Sequence, residues 1–153
     1  MSEIDALEAF CSALLAQLSP DARTALARKM ASTLRQSQQK RIAAQQNPDG
    51  STYLARKPQL RAKPGSLRRQ MFAKLRTTKY LKAKAADDGA TVSFTESVSR
   101  IARVHQFGLR DKVNRRTGLE VTYPERQLLG LTAADKDQIR DLATTWIAGE
   151  NMR

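Results

Sequence analysis

A chain of 153 residues with 41% apolar and 27% charged side chains is long enough to bury one hydrophobic core and is not composed like a wholly disordered polymer. Lys and Arg outnumber Asp and Glu by 27 to 15, a formal charge of +12; between residues 23 and 84 there are 17 basic side chains and one acidic one, Asp49. A single cysteine, Cys11, and a single histidine, His105, exclude an intramolecular disulfide and leave too few ligands for a Cys/His metal site.

The chain begins with Glu3, Asp5 and Glu8 where a signal peptide would carry basic residues and then an apolar run. No stretch approaches the length of a membrane span, so no membrane partner is expected and synthesis in the cytoplasm is. Ile4, Leu7, Phe10, Cys11, Leu14, Leu15 and Leu18 recur at spacings of three and four, which predicts an amphipathic helix with Cys11 as a buried structural thiol. Ser19-Pro20 supplies an N-cap and a first-turn proline for a second helix, whose apolar face (Ala22, Ala25, Leu26, Met30, Leu34) thins into Gln, Lys, Arg and Ala towards Gln46. The two form a helical hairpin over residues 1–46.

Asn47-Pro48-Asp49-Gly50 is turn chemistry. The stretch that follows is basic, holds Pro58 and shows no period, so residues 47–65 read as an extended arm or loop. Leu67, Met71, Phe72 and Leu75 share a face of a short helix. Tyr80, Lys82 and Lys84 alternate with Leu81, Ala83 and Ala85, Asp87-Asp88-Gly89 turns the chain, and residues 91–95 run back as a β-hairpin. Val98, Ile101, Ala102 and His105 return to helical spacing until Gly108. Residues 109–118 read as an exposed basic loop, residues 120–123 as a third strand, and Thr132 caps a final helix with Ile139, Leu142, Ala143, Trp146 and Ile147 inward. The expected class is α+β, predominantly helical: an N-terminal helical hairpin, a small antiparallel β-sheet covered by helices on one face, and a C-terminal helix. All of it forms one domain over residues 1–153, with residues 66–153 as the α+β core.

Nothing in this pattern is catalytic. His105 sits between apolar positions of a helix, where a packed histidine is the commoner outcome, and Asp87-Asp88 lies in a turn that favours Asp anyway. No phosphate-binding glycine loop and no carboxylate pair in a suitable setting occur, so neither an active site nor a cofactor is expected. Nucleic-acid binding through phosphates is the rival for the basic block. The bases would find few stacking partners there, since Tyr53, Phe72 and Tyr80 are its only aromatics. Part of the charge on the second helix can equally be a solvated face.

Five segments occur in a fixed order: Arg41-Ile42-Ala43-Ala44-Gln45-Gln46-Asn47-Pro48-Asp49-Gly50, then Arg56-Lys57-Pro58-Gln59-Leu60-Arg61, then Met71-Phe72-Ala73-Lys74-Leu75-Arg76, then Arg103-Val104-His105-Gln106-Phe107-Gly108-Leu109, and last Arg126-Gln127-Leu128-Leu129-Gly130-Leu131. In that series the chain resembles the tail completion, or virion morphogenesis, proteins of P2-like phages with contractile tails, from about Leu18 to Trp146. Glu125 departs from the small residue expected there.

The resemblance implies a non-enzymatic role in tail completion and head–tail joining. The partners it implies are tail tube, tail terminator or head–tail connector proteins and other copies of the chain, with a six-fold ring at the neck as the working guess and nonspecific DNA contact as a further possibility. It also implies a passage from host cytoplasm into the virion. Asn47, Pro48, Gly50, Pro58, Phe72, His105, Phe107, Gly108, Arg126, Leu128, Leu129 and Gly130 are then motif residues with structural duties. Arg56, Lys57, Arg61, Lys63, Arg68 and Arg69, in and beyond an arm over residues 53–63, together with Arg115 and Arg116, are the candidates for meeting acidic partners.

Overall fold

Hydroxyl side chains at Ser2, Ser19 and Thr132 cap the starts of three of the helices, whereas Thr95 starts another without a side-chain cap bond. In the computed structural model, which describes residues 2–56, 70–86 and 88–148, α1 spans Glu3–Leu15 and α2 spans Pro20–Ala43. Ser19 Oγ accepts from the Ala22 amide at 3.3 Å, so the Ser-Pro start works as the sequence suggested. Strands β1 (Leu81–Ala86) and β2 (Gly89–Phe94) form the expected hairpin, with Leu81 buried and Lys82 and Lys84 exposed on alternate sides.

Helix α3 covers Glu96–Phe107 and ends at Gly108 in the left-handed conformation, φ 63°. Helix α4 covers Ala133–Ile147. Its capping box is complete: Thr132 Oγ1 accepts from the Asp135 amide and Asp135 accepts from the Thr132 amide, both at 3.0 Å. The class is α+β.

The strands divide into two separate hairpins rather than one three-stranded sheet. Residues 110–112, read from sequence as part of a basic loop, form β3 (Arg110–Lys112), which pairs antiparallel with β4 (Glu120–Thr122) in the register Arg110 to Thr122, Asp111 to Val121 and Lys112 to Glu120. Three residues of Arg-Asp-Lys carry no apolar alternation, so the pairing arises from contact rather than local pattern. The short helix expected from Leu67 does not appear among the described residues 70–80, which run as consecutive turns; residues 67–69 lie outside them.

Two compact units result. Unit 1 takes Met1–Ser37, Ala83–Ser93 and Leu131–Arg153, and unit 2 takes Gln38–Lys82 and Phe94–Gly130. The core of unit 1 joins Leu7 of α1, Leu26 and Met30 of α2, and Ile139 and Ala143 of α4, with Cys11, Leu142 and Trp146 partly buried against it. Only part of the apolar stripe of α1 is used: Ile4 and Phe10 remain 53% and 39% exposed. The core of unit 2 joins Ile42, Tyr53, Ala102 and Leu128, with Met71, Phe72, Leu75 and Phe94 packed around them. No helix among the described residues is long and apolar enough to cross a membrane.

A candidate assembly surface on a locked loop

The loop from residue 126 to 130 has no regular structure, yet unit 2 is organised around it. Arg41, buried on α2, donates through Nη1 to the carbonyls of Gln46 (3.0 Å) and Gln127 (2.8 Å), and through Nη2 to the Leu128 carbonyl (2.8 Å) and to Gln38 Oε1. Gln38 Oε1 also accepts from the Gly130 amide at 3.1 Å. From α3, Gln106 clamps the same loop. Its Oε1 accepts from the amides of Leu128 (2.8 Å) and Leu129 (2.9 Å), and its Nε2 donates to the Leu129 carbonyl at 2.8 Å.

The Asn-Pro-Asp-Gly turn closes the third side. Asn47 Oδ1 accepts from the Gln127 amide at 2.9 Å, and a Cβ on Gly130 would lie 2.4 Å from Pro48 Cγ. The chain continues through an isolated antiparallel bridge between Gln46 and Thr52 to Tyr53, 4% exposed, whose hydroxyl donates to the Gln127 carbonyl at 2.8 Å. Arg126 then donates to the carbonyls of Leu54 (2.7 Å) and Ala55 (3.2 Å). The arm expected from residue 53 therefore does not start there: its first residues are pinned to the core.

Beside the loop stands a run of rings. Tyr53 meets Phe72 edge-on at 5.7 Å, Phe72 meets His105 at 4.9 Å, and His105 meets Tyr123 at 4.9 Å. Phe72 holds φ 66°, a left-handed conformation that costs a non-glycine residue and is kept here by its packing. His105 is half-buried and its Nδ1 has no partner among the described residues. Burial, followed by the nearby positive charges of Arg126 and Arg56, pushes its pKa down to about 4, so the ring is neutral at physiological pH. Burial and Arg56 also work against the charge on Arg126. A neutral histidine between two rings, facing cations, fits packing rather than proton transfer. Among the described residues no three His, Cys, Asp or Glu side chains gather as metal ligands would.

Of the candidate partner-binding residues, Arg56 is exposed beside this frame, and Arg115 and Arg116 lie exposed in the β3–β4 turn, where Asn114 Oδ1 accepts from the Arg116 amide at 2.9 Å and Gly118 takes φ 70°. Lys57, Pro58, Arg61, Lys63, Arg68 and Arg69 lie outside the described residues. The motif residues divide by duty. Asn47, Pro48, Arg126, Leu128, Leu129 and Gly130 meet in the locked loop; Phe72 and His105 stack; Gly50 (φ 89°) and Gly108 turn the chain; Phe107 is 62% exposed. Sequence reading missed Gln38 and Gln106 as framework residues, although Gln38 and Arg41 lie three residues apart on one polar face of α2.

A groove of about 550 Å³ opens in unit 2 between α3 and the β3–β4 hairpin. Ile101, Val104, His105, Val113 and Tyr123 line its apolar part, and Arg100, Lys112 and Arg115 its charged part, with Asp111 held by Arg100 at 2.5 Å. Ile101 is 49% and Val113 54% exposed. Apolar surface open to water thus lies beside cations along this groove.

Comparison with known proteins agrees with the motif series. Residues 2–148 match the phage virion morphogenesis family. Tail completion protein S of Escherichia phage P2 is 42% identical over 144 residues, spanning 93% of this chain and 95% of that protein. No solved structure matches. With the match running nearly end to end and the motif residues of unit 2 meeting in one frame, the chain belongs to the phage virion morphogenesis family.

Proposed function

We propose that this chain acts without catalysis in completing a phage tail, as a subunit of a ring at the neck end of the tail tube, and takes part in joining tail to head. The observation that carries the proposal is the near full-length similarity to a tail completion protein. Its partners are then tail tube, tail terminator or connector proteins and further copies of itself, and its destination is the virion. The interior supports such a role: the polar side chains of unit 2 are spent on holding a loop in place rather than on a reactive centre. The exposed cations of unit 2 set orientation and encounter rate with an acidic partner.

The test is complementation of a phage lacking its own tail completion protein. Wild-type chain should restore infectious particles, and mass spectrometry of purified particles should find it there; failure of both overturns the role. Replacing Lys57, Arg61, Lys63, Arg68 and Arg69 together by Gln, with Tyr53 left in the core, tests the basic stretch. Unjoined heads and tails under the electron microscope are expected, and wild-type yield would remove that stretch from the interface.

Binding to nucleic acid through phosphates is the second reading, favoured by the 17 basic residues against one acidic between residues 23 and 84. It requires duplex or single-strand binding that survives physiological salt.

A further inference from the structure

Charge is unevenly shared between the units. The segments of unit 2 hold 19 Lys and Arg against 5 Asp and Glu, whereas those of unit 1 hold 8 against 10. Of the ten acids of unit 1, α1 carries three, Glu3, Asp5 and Glu8, with no basic residue beside them. Ile4 and Glu8, one turn apart, share an exposed flank of that helix, with Ile4 53% open to water. Glu3 is engaged by Lys136 at 2.6 Å, but Glu8 takes part in no ion pair among the described residues.

The groove of unit 2 offers the complement. Ile101 and Val113 stand exposed at its mouth, and the Val113 amide donates to the Leu119 carbonyl at 2.8 Å, which brings Leu119, 61% exposed, beside them. Lys112 and Arg115 take part in no ion pair among the described residues.

We infer that the exposed Ile4–Glu8 flank of α1 in one copy docks in the groove between α3 and the β3–β4 hairpin of the next copy. Ile4 covers Ile101, Val113 and Leu119, and Glu8 meets Lys112 and Arg115. This is an amphipathic helix laid on an apolar groove with a charged rim. A phosphate backbone would use the cations but gain nothing from three exposed apolar side chains, which is why a helix is the better occupant. Two different surfaces meet, and such a contact repeated head-to-tail closes into a ring when the rotation between copies permits. The inference rests on the assembly role proposed above and names the surfaces that self-association would use.

Sedimentation of the full-length chain tests it with a charge swap. Glu8→Arg and Arg115→Glu, both at exposed positions, should each weaken self-association by about tenfold or more while circular dichroism stays unchanged. The chain carrying both exchanges should recover to within about threefold of wild type. A wild-type chain that associates while neither single exchange weakens it, or a double exchange weaker than either single one, overturns this interface and leaves ring formation standing on other surfaces. A wild-type chain that stays monomeric yet complements the phage overturns self-association itself but not tail completion. Loss of duplex DNA binding in Arg115→Glu with association unaltered assigns the groove to nucleic acid and overturns the docking.

Discussion

A guanidinium is buried at low cost only when its donors are used. Arg41 uses Nη1 and Nη2 on five oxygens: three backbone carbonyls, the amide oxygen of Gln38 and the Tyr53 hydroxyl at 3.5 Å. Its Nε finds no partner among the described residues. Arg41→Met would strip this donor from the Gln46 and Leu128 carbonyls, while the Gln127 carbonyl keeps the Tyr53 hydroxyl, so a stability loss of about 2–4 kcal/mol in urea unfolding is expected. Arg41→Lys should recover little of it, since an ammonium cannot reproduce the planar fork. His105 carries a pH signature of its own. Its folded pKa of about 4 lies below the ordinary 6.5, so between those values the unfolded chain binds more protons than the native one. The native state therefore loses stability as pH falls from about 6.5 towards 4. Glu3, Asp5, Asp49 and Asp111, each lowered from the ordinary carboxylate range, add their own losses as pH falls through that range, which overlaps the acid end of this window. Thermal unfolding followed across pH 6.5 to 4 should flatten in His105→Gln, and an unchanged slope would assign the effect elsewhere.

Elements stand or fall with their ends. Thr132→Ala removes one half of the capping box of α4 and should cost about 1 kcal/mol. Gly130→Ala is harsher, because its Cβ would fall 2.4 Å from Pro48 Cγ and the proline ring would have to shift; a loss of about 1–3 kcal/mol by chemical denaturation is expected. These devices explain what the sequence disclosed and what it withheld. Ser19-Pro20, Thr132, Gly108 and the alternation from Tyr80 to Ala85 are local signals, and α2, α4, α3 and β1 follow them. Arg110-Asp111-Lys112 becomes a strand only because residues 120–122 lie opposite, and the turns over residues 71–80 override a helical spacing of Met71, Phe72 and Leu75. The candidate surface was legible to the same degree. Arg115 and Arg116 are exposed as read, but Tyr53, assigned to an arm, belongs to the core through a bond to a residue 74 positions away. Gln106 could not be singled out, since its three bonds all run to residues 128 and 129.

For the molecule as a whole, the family assignment implies contact with other tail or head components of a phage. Deleting residues 51–63 would be a poor probe of that, because it takes Tyr53 out of the core of unit 2. Loss of the folded state is the expected outcome, visible as a collapse of the cooperative thermal transition. The loop at residues 126–130 has a consequence for motion. Five successive amides donate to internal acceptors: Arg126 to the His105 carbonyl, Gln127 to Asn47, Leu128 and Leu129 to Gln106, and Gly130 to Gln38. In deuterated solvent these amides should exchange as slowly as those inside α2, since each is held by an internal acceptor and opening the loop as a whole parts it from the segments of Gln38, Asn47 and Gln106. An irregular stretch of chain would then behave, on the timescale of hours, like the middle of a helix.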